Sequence, residues 1–137
     1  MINEDRLVKL FKELCLINSP ALNEGDCVAY VKEYLEGLGL EVKEDSTGSK
    51  IGGKANNLIA WKPGSVSTAP RIFLSAHFDT VEPTEGLIIG ERDGVFFSES
   101  DTILGADDKG GMAPAIEAIH ALIESGEPHG DICLLLS

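Results

Sequence analysis

Five apolar residues in a row, Ile132-Cys133-Leu134-Leu135-Leu136, constrain this chain more than any other stretch. The run is too short for a buried helix. As a strand it turns apolar side chains to both faces at once, because successive residues alternate sides. Such a strand belongs in the middle of a sheet that is covered above and below. Asn57 to Trp61 and Arg71 to Ala76 are also short, apolar and bounded by turn residues, and supply further buried strands; Leu40 to Glu44 reads as another short one. The Pro63 to Pro70 stretch connects two of them as a loop.

Helical spacing occurs between these strands. Leu7, Leu10, Phe11, Leu14 and Ile17 form one stripe, with Asn3 placed to cap the first turn and Pro20 beyond its end. Val28, Val31, Leu35 and Leu38 form a second stripe over Glu24 to Leu38, closed by Gly39. Met112, Ile116, Ile119 and Ile123 form a third over Lys109 to Ser125, closed by Gly126, in which Pro114 is tolerable only in the first turn. Asp45 to Lys54 collects turn residues and reads as a loop, and Glu91-Arg92-Asp93-Gly94 between two strand-like runs (Leu87 to Ile89, Val95 to Ser98) carries an Asp-Gly turn signal that fits a small hairpin or an irregular β excursion. The pattern predicts one α/β domain over residues 1–137, three-layered, with a mostly parallel central sheet flanked by helices.

At 137 residues, with 43% hydrophobic and 25% charged side chains, the chain has the composition of a folded globular domain and not of a disordered tail. Its formal charge of −12 repels phosphate backbones and anionic lipid, so neither nucleic acid nor membrane is an expected partner, whereas cations are. Cys15, Cys27 and Cys133 are odd in number and lack C-x-x-C spacing, which predicts reduced core residues. The start of the chain has no signal-peptide character and no apolar run reaches about 20 residues, so the expected location is the cytoplasm.

Chemistry concentrates at two places. Strand Arg71 to Ala76 runs into His77-Phe78-Asp79-Thr80, and in extended chain His77 and Asp79 point the same way, so both can address one site. Alone, H-x-D is as compatible with a solvated loop. The second place is Gly105-Ala106-Asp107-Asp108-Lys109-Gly110-Gly111, opening the third helix. One aspartate could simply cap that helix. Two adjacent carboxylates, however, repel unless a bound cation or Lys109 lies beside them. The phosphate-loop pattern is absent and the aspartates would repel phosphate; an EF-hand loop fails for want of alternating oxygen ligands. Imidazole with hard oxygen suits zinc, manganese or cobalt.

Ser75-Ala76-His77-Phe78-Asp79-Thr80 and Leu104-Gly105-Ala106-Asp107-Asp108-Lys109-Gly110-Gly111, in that order, resemble the two N-terminal metal motifs of the co-catalytic zinc peptidases related to aminoacylase, carboxypeptidase G and acetylornithine deacetylase. Lys50-Ile51-Gly52-Gly53 and the paired aspartates are most similar to the peptidase T (tripeptide aminopeptidase) branch. The resemblance implies that His77 ligates one metal, that Asp107 bridges two zinc ions (Co²⁺ or Mn²⁺ as substitutes), and that Asp79 belongs to the catalytic machinery by orienting His77. It further implies that Asp108, Lys109 and Gly110 shape the supporting turn, that the Asp107–Asp108 peptide is cis, and that a metal-bound water attacks the N-terminal bond of a short peptide.

It also implies what this chain lacks. Family members continue the next strand into a Glu-Glu pair that supplies base and ligand, then a further acid and histidine, and carry a lid or dimerisation domain. Ser137 falls within that strand, so the chain corresponds to the N-terminal portion of a catalytic domain and is expected to be catalytically incomplete. An unfinished sheet edge would favour homo-oligomers. His120, within a helix, and His129, in a turn, read as structural or solvated. The competing reading is a non-catalytic metal-binding or interaction module built on the same fold.

Overall fold

A computed structural model describes all 137 residues. Helices α1 (Glu4–Leu16) and α2 (Gly25–Gly37) lead into β1 (Glu41–Glu44), the short helix α3 (Thr47–Ile51), and strands β2 (Leu58–Lys62) and β3 (Ile72–Ala76). Then come β4 (Ile89–Arg92), β5 (Val95–Ser98), α4 (Ala106–Ser125) and β6 (Ile132–Leu136). The α/β class read from the sequence is the class observed.

The main sheet has the order β1-β2-β6-β3. The apolar strand β6 is central, as its composition demands. Only its pairing with β3 is parallel; β1 with β2 and β2 with β6 are antiparallel. The sheet is therefore mixed, which corrects the expectation of a mostly parallel one. The reason is local: the loop and single helical turn between β1 and β2 return the chain alongside itself, whereas only β3 and β6 are joined by a long helix able to make a parallel crossover.

Three layers were also expected, and this chain shows two. Helices α1, α2 and α4 all lie on one face, where Leu10, Leu14, Val31, Leu35, Met112, Ile116 and Ile119 enclose Leu58, Ala60, Leu134 and Leu136, each at most 1% exposed. On the opposite face Ile59, Trp61, Phe73 and Leu135 are 40, 38, 66 and 40% exposed. Alternation along the strands fixes this sidedness, because Ile59 pairs with Leu135, Trp61 with Cys133, and Phe73 with Cys133 in register. Nor is β6 an open edge, since β2 and β3 flank it; the edges are β1 and β3.

Two local expectations need amendment. Residues 47–51 form a helical turn within the expected loop, because Asp45 accepts from the Thr47 amide at 2.9 Å and from its hydroxyl at 2.6 Å, and Gly52 closes the turn at φ 77°. Pro114 sits well inside α4 and not in its first turn. A proline there forfeits about 3 kcal/mol. Full burial of Met112, Ile116 and Ile119 from the same helix contributes about 1.5 to 3 kcal/mol each and outweighs it.

Other elements follow their signals closely. Asn3 caps α1 by accepting from the Arg6 amide at 3.0 Å. Asp93 and Gly94, at φ 53° and 76°, turn the β4–β5 hairpin, which rests on α1 through Phe96 against Phe11. All three cysteines are free and buried. Burial holds the Cys15 thiol up at about 11, opposed by the charge of Lys109, so it stays protonated at neutral pH. No helix is long and apolar enough to cross a membrane.

One polar contact inside the α1–α4 interface was not legible beforehand. Glu117, on the buried face of α4, has a fully buried side chain and accepts from Arg6 Nε at 2.6 Å, from a second Arg6 nitrogen at 2.9 Å and from the Asn3 amide at 2.8 Å. Hydrogen bonding from Arg6 outweighs burial and holds the Glu117 carboxyl below its ordinary range. Removing the guanidinium strands a carboxylate in the core, so Arg6→Ala is expected to cost about 2 to 3 kcal/mol in urea unfolding. Because the folded value is lowered, the stabilisation is present above the unfolded value near 4.5 and is lost as pH falls through the folded one. Glu117→Gln is therefore expected to lose stability less steeply than the unsubstituted chain in thermal melts below that pH.

Candidate metal centre

The crossover from β3 through α4 to β6 sets the site. Since β6 runs parallel to β3, α4 must travel back across the sheet, and its N-terminus starts beside the carboxyl end of β3. Strand alternation then orients the side chains. Ala76 and Phe78 point into the core, 6 and 1% exposed, which turns His77 and Asp79 outward on the same side. The strand end is pinned by the Phe78 amide donating to the Ser137 carbonyl at 2.7 Å and the Ser137 amide donating to the Ala76 carbonyl at 3.2 Å.

His77 is gripped from two directions. Its Nδ1 lies 3.0 Å from Asp79 Oδ1 and 3.1 Å from the Asp79 carbonyl oxygen, while its Nε2 lies 3.1 Å from Asp107 Oδ1. Residues 30 positions apart in sequence thus meet at contact distance. Partial burial lowers the affinity of the imidazole for a proton, but Asp79, Asp107 and Asp108 together outweigh it, and the net direction is upward. One ring nitrogen tied to a backbone carbonyl beside a carboxylate, with the other on the outward side, is an orientation in which an imidazole can ligate a metal.

The paired aspartates do not behave as helix caps. Gly105 occupies the N-cap position at φ 71°, no side chain caps the helix, and Asp107 and Asp108 have non-helical backbones, so the regular helix begins at Lys109. The bond between the two aspartates is cis, in accord with the resemblance. The Asp107 side chain is 91% exposed, open to whatever occupies the space beside His77. Lys109 does not neutralise the pair: it is fully buried, and its Nζ donates to Ser19 Oγ at 2.6 Å and to Cys27 Sγ at 3.1 Å. Of the two sources of positive charge considered from sequence, Lys109 and a bound cation, the geometry turns Lys109 away. Gly110 and Gly111 line the first helical turn, and a Cβ on Gly111 would run into the Asp108 carboxylate.

The donor chemistry fits a zinc-type ion, with one imidazole, one facing carboxylate and a supporting carboxylate. The number of donors is short: no group of three or more His, Cys, Asp or Glu side chains is arranged so that it could hold a metal ion. His120 stacks edge-on against Tyr34, accepting or donating at 3.0 Å to its hydroxyl, and His129 Nδ1 contacts the Gly130 carbonyl at 2.7 Å, so both are tied into the scaffold away from this site.

Sequence reasoning missed Ser19. It lies between α1 and α2 with no motif around it, yet it is fully buried and touches both halves of the site. Only its place before Pro20, in a polar gap between two apolar stripes, hinted at a fixed backbone there.

Gly105 offers a direct test of the turn. Its positive φ disfavours any side chain, and an added Cβ would fall 2.9 Å from the Thr84 methyl and 3.2 Å from the Thr80 methyl. Gly105→Ala is expected to lower unfolding free energy by about 2 kcal/mol or more in urea titration, combining left-handed strain with crowding.

No model of a known protein family matches the chain. Over all 137 residues it is 38% identical to the uncharacterised protein YqjE of Bacillus subtilis, spanning 37% of that protein's length. It is 30% identical over 135 residues to a peptidase M20 domain-containing protein of Schizosaccharomyces pombe, covering 96% of this chain and 31% of that one. Among solved structures, a tripeptidase from Staphylococcus aureus superposes with a TM-score of 0.94 at 38% identity, over 100% of this chain and 37% of that one. Aminopeptidase PepT from Bacillus cereus superposes with a TM-score of 0.94 at 38% identity, over 99% and 36%. The chain spans about a third of the length of these relatives. Its resemblance to peptidase T holds along its entire length, in sequence and in fold.

Proposed function

We propose that this chain forms one wall of a di-metal peptidase site, in a protein that removes the N-terminal residue from tripeptides or similar short peptides. The observation that carries the reading is the meeting of His77 and Asp107 at 3.1 Å, with Asp79 behind the imidazole and Lys109 turned away from the paired aspartates. The 38% identity to a tripeptidase and to an aminopeptidase supports the substrate class.

His77 and Asp107 would hold the metal, zinc by donor type with cobalt or manganese as substitutes. Bound there, such an ion supplies Lewis-acid polarisation of a peptide carbonyl and acidification of water. The Asp79 carbonyl oxygen accepts from Nδ1 of His77 at 3.1 Å, with the Asp79 carboxylate close by at 3.0 Å, which would leave Nε2 as the donor atom directed at the site. Asp108 adds negative charge near His77 and so favours a cation at that place.

Two protein donors are fewer than the three that catalytic zinc ordinarily has. The chain on its own is therefore read as a weak metal binder without turnover, to which donors outside these residues would have to be added for a complete site. Copies of the isolated chain would associate through the exposed apolar sheet.

Zinc titration by calorimetry on this chain is expected to show weak binding that His77→Ala abolishes, and tripeptide cleavage is expected to be undetectable with or without added metal. Metal-dependent turnover by the chain alone, lost in His77→Ala, would overturn the incompleteness and demand a base outside the residues named. Zinc binding unaffected by His77→Ala would overturn the metal assignment.

A further inference from the structure

We propose that Ser19 is a positioning residue that locks the two metal-site segments, 77–80 and 107–109, to each other from beneath. The proposal rests on the reading of His77 and Asp107 as metal-binding residues, and it concerns how their separation is fixed.

The Ser19 hydroxyl stands at the centre of a directional relay. Lys109 Nζ donates to Ser19 Oγ at 2.6 Å, and Ser19 Oγ donates to the Phe78 carbonyl at 2.8 Å. Phe78 is the residue between His77 and Asp79; Lys109 follows the paired aspartates. One oxygen atom therefore joins, through two hydrogen bonds, segments that lie 59 and 90 positions away from it. The backbone of the same residue reinforces the first segment, since the Ser19 carbonyl accepts from the Thr80 amide at 2.9 Å and from the Thr80 hydroxyl at 3.4 Å. Next to it, Asn18 Oδ1 accepts from the Thr84 amide at 2.9 Å, and Pro20 forms a parallel bridge with Thr80.

Burial gives these contacts their strength. Ser19 and Lys109 are 0% exposed, and Phe78 and Thr80 are 1% exposed, so no solvent competes for the relay. Lys109 Nζ has one other partner, the Cys27 sulfur at 3.1 Å. Burial, only partly offset by Lys109, raises the Cys27 thiol, and a protonated sulfur is a weak acceptor. Ser19 is thus the main acceptor for a buried amine that cannot reach water. Alanine at position 19 would leave that amine and the Phe78 carbonyl each short of a partner, and the two segments would lose their common anchor. The ligands above cannot replace it. Asp107 is almost fully exposed, so its placement depends on the backbone beneath, and partners one step behind the ligands commonly change metal affinity by 10- to 100-fold.

The test compares four forms of the full chain: unsubstituted, Ser19→Ala, Lys109→Met and Ile119→Ala. The last is a control that weakens the buried face of α4 away from the site. Two quantities are measured: amide hydrogen exchange of the metal-free protein at Thr80 and at residues 109–113, and Co²⁺ affinity by visible absorption. Ser19→Ala is expected to speed exchange at least tenfold in both segments and to weaken Co²⁺ binding about tenfold. Lys109→Met keeps the Ser19–Phe78 bond, and is expected to loosen residues 109–113 and weaken Co²⁺ binding while Thr80 stays protected. Ile119→Ala is expected to lower the melting temperature while leaving Co²⁺ affinity within about twofold. The proposal is overturned if Ser19→Ala loosens only one segment or neither, or if Ile119→Ala reproduces its effects. Should Ser19→Ala not fold, Lys109→Met decides: loss of protection at Thr80 equal to that at residues 109–113, or none at either, overturns it. If the exchange pattern holds but the unsubstituted chain takes up no Co²⁺, the clamp stands and the metal reading above fails; the reverse pattern leaves the metal reading and removes the clamp.

Discussion

The parallel pairing of β3 with β6 governs the rest of this structure. Two parallel strands need a connection that crosses back over the sheet, and α4, whose regular part from Lys109 to Ser125 spans about 25 Å, is the segment long enough to make it. Once it does, its first turn must begin where β3 ends. The topology brings His77 and Asp107 to the same rim of the sheet, and the polar contacts between and beneath them set their separation. The same crossover carries Met112, Ile116 and Ile119 against the sheet, so the site and the core are consequences of a single chain path.

Polar contacts then fix that path in detail, at the beginning and the middle of α4's buried face. Glu117 ties the middle of the helix to the start of α1 through Arg6 and the Asn3 amide, and Lys109 ties its beginning to Ser19. Buried polar groups are costly when unpaired and select one packing when paired. Apolar contacts alone would let α4 slide along the sheet by small amounts with little change in buried area. A carboxylate met by a guanidinium and an amine met by a hydroxyl oppose such a slide, which keeps Asp107 in place beside His77.

How far the sequence was legible follows from whether each signal was local. The Asn3 cap, the stripes of α1, α2 and α4, the Asp93-Gly94 turn and both site motifs depend on residues within a few positions of each other, and all could be placed in advance. The antiparallel course of β2 could not, because pairing direction depends on what lies far away in the chain. The run Ile132 to Leu136 rightly indicated a central strand, yet it suggested cover on both faces, and Leu135 is 40% exposed. Ser19 and Glu117 escaped notice for a related reason. A buried serine or glutamate looks like any other polar residue until its partner, here 59 to 114 positions distant, is known.

That distance bears on the chemistry. In this site the groups that face outward, His77 and Asp107, are the exposed part of an arrangement whose constraints are internal. An exposed carboxylate makes no packing contacts that could hold it, and its attraction to a neighbouring imidazole is screened by water. Its position is inherited from the turn below it: from Gly105, which only a residue without a side chain can occupy at that φ beside Thr80 and Thr84, and from Lys109, drawn inward and away from the aspartates it follows. Turning the one nearby lysine into the core does two things at once. It supplies the anchor for the turn, and it leaves the His77 imidazole, 3.1 Å from Asp107, as the basic group that the paired carboxylates face, in a geometry set from beneath.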